Sequence, residues 1–330
     1  MNKKLINIIS FIAAFMLAAC SQNSNETFDD KAIALNAGIV EATSTRAIKT
    51  DEVRGNVPSD KYPLNALICF GTESKVYKHA PTEPSYLPCR TTINYTSGNK
   101  TYPTPYDGNP LKYPQDNSLV YCVGLHPQTG WTFTDNSNVT FPIDGRSDIM
   151  FAPEIIGKWE LPFDAQTYTH LQAWMKITIC ATAPEAIEAW GDIDSIAIKS
   201  KAQVEINLGA ETDSLSFENN GIKYSGEKCI GIVKKSDNVK LETHIKEVGQ
   251  FFYVPLNMAA EDTIIIKTRN KELKKIPFKL IDKNNKTISH ISKAIGKLYI
   301  VELEFQPFDL IKAECTLDSW DAWDDNLYLE

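Results

Sequence analysis

The chain lacks the signatures of most enzymes. It has no C-x-x-C, no H-E-x-x-H, no G-x-S-x-G, no phosphate-binding glycine loop and no dinucleotide fingerprint. Zinc ribbons, thioredoxin-like redox sites, zincins, serine hydrolases and nucleotide binders therefore have no support. The five histidines, His79, His126, His170, His244 and His290, fall at no metal-ligand spacing. Acidic pairs such as Asp192/Asp194 and Asp324/Asp325 are present, and a glycosidase needs only two carboxylates. Acidic pairs at turns are ordinarily solvated, so no catalytic residue, metal or cofactor is expected. Basic clusters are missing as well. The net charge is −8, and nucleic acid is not an expected partner. Internal repeats are absent, and helical signal is confined to about two turns at Pro184 to Trp190. Beyond residue 20 no apolar run is long enough to span a bilayer.

The first twenty residues are a different matter. Lys3 and Lys4 precede an apolar run from Leu5 to Leu17, too short for a stable membrane anchor. Leu17-Ala18-Ala19-Cys20 then resembles the bacterial lipobox, in which the cysteine is acylated and the signal is cut before it. An ordinary secretory signal with a chance cysteine is the alternative. Each buried CH₂ of an acyl chain contributes about 0.8 kcal/mol, so a multiply acylated Cys20 would hold the protein on a membrane. Residues 1–19 are thus expected to be a lipoprotein signal, and 20–30, polar and acidic, a flexible tether.

The next stretch organises the rest. In KAIALNAGIVEATSTRA, Ile33, Leu35, Ala37 and Ile39 alternate with Ala34, Asn36, Gly38 and Val40. Period 2 predicts a β-strand with one apolar face. A small polar run follows and carries Arg46, the only Arg or Lys between Lys31 and Lys49. A strand joined by such a linker can be kept, removed or exchanged. It can equally be an ordinary first strand of a sandwich.

Strand patterns continue to the end. They are expected at Tyr62 to Phe70, Thr91 to Tyr95, Ser118 to His126, Val139 to Phe141, Asp148 to Ala152, Tyr168 to Ala181 and Ile193 to Ile198. A second series comprises Val204 to Leu208, Cys229 to Val233, Val239 to Ile245, Gln250 to Leu256, Thr263 to Thr268, Ile276 to Ile281, Leu298 to Phe305 and Ile311 to Leu317. Regular spacing with Gly, Asn and Asp between strands predicts an all-β fold of two consecutive β-sandwiches. The expected domains are 31–205 and 206–330.

Besides Cys20 there are Cys69, Cys89, Cys122, Cys180, Cys229 and Cys315. Export favours disulfides, and six cysteines allow 15 pairings. Cys69, Cys122 and Cys180 sit inside apolar strands, which favours buried free thiols. The tryptophans, Trp131, Trp159, Trp174, Trp190, Trp320 and Trp323, suit core packing better than sugar stacking.

Several stretches together resemble the fimbrillins, type V pilin subunits of Gram-negative anaerobes. The lipobox and a strand ending in Thr45-Arg46-Ala47 look like the family's opening. Ser147-Asp148-Ile149-Met150-Phe151-Ala152 resembles its "s-D-l-m-y-A" strand, and His170-Leu171-Gln172-Ala173-Trp174-Met175-Lys176-Ile177 its "H-x-l-a-k-l" strand. Asp318-Ser319-Trp320 resembles its C-terminal tryptophan turn. Trp174 stands where the family more often has a small or charged residue, and the tail after Trp320 is short.

The resemblance implies two transthyretin-like sandwiches and a lipid-anchored precursor at the cell outer membrane. It implies cleavage between Arg46 and Ala47, release of the strand bearing Ile33, Leu35, Ala37 and Ile39, and replacement by a neighbour's C-terminal segment. The partners would be other fimbrial subunits in a head-to-tail polymer, the outer membrane through Cys20, and a host or bacterial surface ligand for adhesion. Here the candidate donor is 311–330, with Ile311, Ala313, Cys315 and Leu317 alternating, then Leu327 and Leu329. The alternatives are a tip or anchor subunit, or a monomeric surface lipoprotein that binds glycans.

Overall fold

The computed structural model describes residues 32–35, 37–40, 64–77, 88–93, 111–135, 137–164, 166–209, 221–256, 262–281, 284, 286–288 and 291–318. Cys20, Arg46, Ala47 and residues 319–330, with Trp320, Trp323, Leu327 and Leu329, lie outside them. The fold is all-β and of the sandwich type, and the described residues form three sheets.

The first sheet has the order β1-β8-β7-β4-β2-β3. These are β1 (Ala37–Val40), β2 (Leu64–Gly71), β3 (Cys89–Ile93), β4 (Val120–His126), β7 (Met150–Gly157) and β8 (Gln166–His170). The second runs β14-β13-β10-β6-β5, with β11 also paired to β10. It comprises β5 (Thr132–Phe133), β6 (Asn138–Pro142), β10 (Ile193–Asn207), β11 (Ile222–Val233), β13 (Asp262–Thr268) and β14 (Lys274–Phe278). The third is β12-β9-β15-β16, from β9 (Ala173–Ala181), β12 (Lys246–Tyr253), β15 (Leu298–Phe305) and β16 (Ile311–Asp318). Helix α1 (Pro184–Trp190) fills the expected span. Pro184 supplies a fixed φ at its first turn, and Gly191, at φ 69°, ends it. A single turn, α2 (Ile291–Ala294), precedes β15.

Burial explains the strand compositions. The first sheet is covered on both faces, so Ala66 to Phe70 of β2 are all buried and read as one apolar run. Leu67 and Cys69 join a continuous core shared by all three sheets. Ala66, Ile68 and Phe70 join a second, smaller core on the opposite face. In β13 and β15 burial alternates instead.

Three expectations are corrected. The run Tyr168 to Ala181 is two strands, because the chain leaves the first sheet at Leu171-Gln172 and enters the third. Val239 to Ile245 is not a strand. A 3-10 turn at Lys235–Asp237 and left-handed Asn238, at φ 50°, redirect the chain, and Val239 makes only a bridge to Ile193. Ile193 to Ile198 and Val204 to Leu208 belong to one strand of 15 residues, β10. The boundary expected at 205 therefore falls inside β10. The early part of that strand pairs with β13 and its later part with β6, while β11 follows nearly all of it.

Candidate functional site: the seat of the first strand

Ile33 and Leu35 are both 0% exposed and close the second core. Beneath them lie Ala66, Ile68 and Phe70 of β2, Val120 and Cys122 of β4, and Met150 of β7. The Ile33 N–H donates to the Leu111 carbonyl at 2.7 Å. Two residues on, the chain becomes β1, which pairs parallel to β8 in the register Ala37↔Gln166, Gly38↔Thr167, Ile39↔Tyr168 and Val40↔Thr169. β1 is an edge strand. Burying two such side chains contributes on the order of 3 to 6 kcal/mol before ordering entropy is subtracted.

The floor of the seat is tightly built. Tyr168 donates to Gln166 Oε1 at 3.1 Å, and Gln166 Nε2 donates to Cys122 Sγ at 3.3 Å. Glycine is required at 124, where an added Cβ would stand 2.1 Å from the Tyr168 hydroxyl. Tyr113 accepts from the Phe163 N–H at 2.9 Å, and its ring packs on Phe163. Burial pushes the Tyr113 phenol up to about 12 and the Cys122 thiol well above its ordinary value. Both stay neutral, and neither adds a charge to the apolar slot.

The two motif stretches meet beside this seat. Met150 pairs with His170 and Phe151 with Thr169. His170 Nδ1 lies 2.9 Å from Asp148 Oδ2. Gln172 Oε1 accepts from the Ile149 N–H at 2.8 Å, and the Leu171 N–H donates to the Ile149 carbonyl at 2.7 Å. The motifs form the joint where the chain steps from the first sheet to the third. His126 Nδ1 meets the Asn65 carbonyl, and His244 meets Glu242.

The candidate donor residues are housed elsewhere. Ile311, Ala313, Cys315 and Leu317 lie on β16, which pairs with β15 along its whole length. Ile311 is buried in the continuous core, and the other three pack against it. This face of β16 packs against the continuous core, which period 2 alone could not reveal. Cys69, Cys89, Cys122 and Cys180 are buried free thiols, Cys315 is half-buried and Cys229 exposed. Among the described residues one group has donors near enough for a cation: Cys180, Glu302 and Glu304, within 4.8 Å. Burial and the two carboxylates raise the Cys180 thiol, which keeps it protonated. Trp174 and Trp190 are buried, and Trp131 and Trp159 are half-buried.

No protein-family model matches the chain, and no curated protein matches it. Solved structures do. A candidate cell adhesion protein from Bacteroides uniformis aligns over 89% of this chain and 100% of its own, with a TM-score of 0.54 and 13% identity. The two proteins share a fold. A second candidate cell adhesion protein, from Bacteroides ovatus, aligns over 89% of this chain and 99% of its own, with a TM-score of 0.49 and 13% identity. A fimbrial assembly protein from Parabacteroides distasonis aligns over 87% and 99%, with a TM-score of 0.38 and 12% identity. Among the described residues no helix is long and apolar enough to cross a membrane.

Proposed function

We propose that this protein is a non-enzymatic structural subunit of a surface fimbria, with a role in adhesion. It is exported as a lipoprotein held at the outer membrane by acylated Cys20. Cleavage between Arg46 and Ala47 then frees the first strand for exchange with a neighbour's C-terminal segment. One observation carries the reading: Ile33 and Leu35, just ahead of the short edge strand β1, seal a ready-made apolar slot. Removing it would expose backbone N–H and C=O groups of β8 beside an open apolar floor, a template for strand addition. The fold shared with the Bacteroides uniformis protein supports the same reading.

Within the candidate donor 311–330, the apolar residues of β16 pack against the protein's own core. Leu327 and Leu329 have the same i, i+2 spacing as Ile33 and Leu35, so residues 319–330 are the donor. A contact of this kind is head to tail and propagates rather than closing.

The test is trypsin-like proteolysis of the delipidated protein. Cleavage after Arg46 should yield concentration-dependent, denaturant-resistant oligomers that begin at Ala47. The Arg46→Ala variant should remain monomeric. If cleaved wild type stays monomeric at high concentration, the anchored monomer is the better account.

A further inference from the structure

We propose that a cleft between the second and third sheets binds a saccharide that carries a carboxylate. The cleft measures about 490 Å³. It is lined by Ile230, Gly231 and Ile232 of β11 and by Gln250 and Phe251 of β12, and Ile232 packs on Gly249 of β12. Asp144, Gly145 and Arg146 add to its lining, and the Phe252 N–H holds this turn by donating to the Gly145 carbonyl at 2.9 Å.

The polar groups are unevenly satisfied. Asp144 Oδ1 accepts from the Arg146 and Ser147 N–H groups, both at 2.8 Å, and Asp237 Oδ2 accepts from the Lys234 N–H at 2.7 Å. Each carboxylate closes its own turn. Arg146 and Lys234 are exposed and line the same cleft, and among the described residues neither side chain has an ion-pair partner. Gln250 Oε1 is a buried acceptor without a hydrogen bond, although Gln250 Nε2 donates to Glu247. Two free cations favour a carboxylate, with Arg146 able to grip both its oxygens. The orphaned amide oxygen and the two aspartates accept from hydroxyls. At Gly231 an added Cβ would meet nothing within 4 Å, so the wall is open there, and a sugar ring fits a space of this size.

Saturation-transfer NMR on the full chain tests this, with N-acetylneuraminic acid and glucuronic acid as probes and glucose as the neutral control. Both acids, or one of them, should bind in the millimolar range or tighter, and glucose should not. The acid that binds tells a sialic from a uronic source. Arg146→Gln removes the grip, and Gly231→Leu fills the space without touching a polar group. Each should weaken binding by about tenfold, equivalent to about 1.4 kcal/mol. Added salt should weaken it further. The proposal is overturned if neither acid binds, if glucose binds equally well, or if both variants bind like wild type.

Discussion

At the scale of single residues, the seat makes quantitative demands. Leu35 is fully buried, so Leu35→Ala should cost about 2 to 4 kcal/mol, read as a lower urea midpoint. Ala34, its neighbour, is only half-buried, and Ala34→Ser should stay within about 0.5 kcal/mol. A second residue-scale outcome concerns pH. Burial pushes the Asp262 carboxyl up to about 6, against hydrogen bonds from Tyr253 and the Leu256 backbone that lower it. Tyr253 and Cys315 beside it are themselves raised and stay neutral in this range. The folded carboxyl is thus harder to ionise than the unfolded one, near 3.9. Its contribution is fully present below about pH 4 and is lost as pH rises through 6. Asp262→Asn should remove a pH dependence on the order of 2 kcal/mol between pH 4 and 7, measured as the difference between wild-type and variant urea curves.

At the scale of elements, the two ends of the chain behave differently. Deleting residues 319–330 should leave a folded monomer and abolish assembly after cleavage. Deleting from residue 311 removes β16, its ladder with β15 and the buried Ile311, and should leave an unstable protein. Circular dichroism and size-exclusion chromatography separate the outcomes. Assembly that survives loss of 319–330 would exclude that tail as the donor. Elements were legible in the sequence where alternation was strong, as in β13, β15 and β16, and where Pro184 and a following glycine framed α1. They were not legible where tertiary pairing decided. Nothing in Tyr168 to Ala181 marks the step at Leu171-Gln172, since the apolar pattern runs straight through it. Likewise the sequence ended one strand at Ile198 and began the next at Val204, yet pairing to β11 carries a single strand across. The alternation of Ile33 and Leu35 was readable, but the slot they fill is assembled from distant strands reaching as far as Tyr168, and periodicity says nothing of that. The cleft was invisible for the same reason, because Arg146, Lys234 and Gln250 share no local motif.

At the scale of the whole molecule, one core runs through all three sheets. A fragment ending at 205 would take β10 without β11 and β13 and would keep β9 without β15. Such a fragment should fail to fold, seen as poor dispersion in its amide NMR spectrum. The intact chain should lose its three-sheet core in one cooperative transition rather than two. The smaller core, closed by the first strand, should open at lower denaturant, because an edge strand of four residues holds it. Amide hydrogen exchange will check this, with β8 exchanging before β9.

The long β10 also decides how the protein bears tension. A pull along β10 is borne by β6 near one end, β13 near the other and β11 between. Force along a strand loads those hydrogen bonds side by side, not one after another. The ladder must then yield together, which makes for a stiff link that extends little before it ruptures.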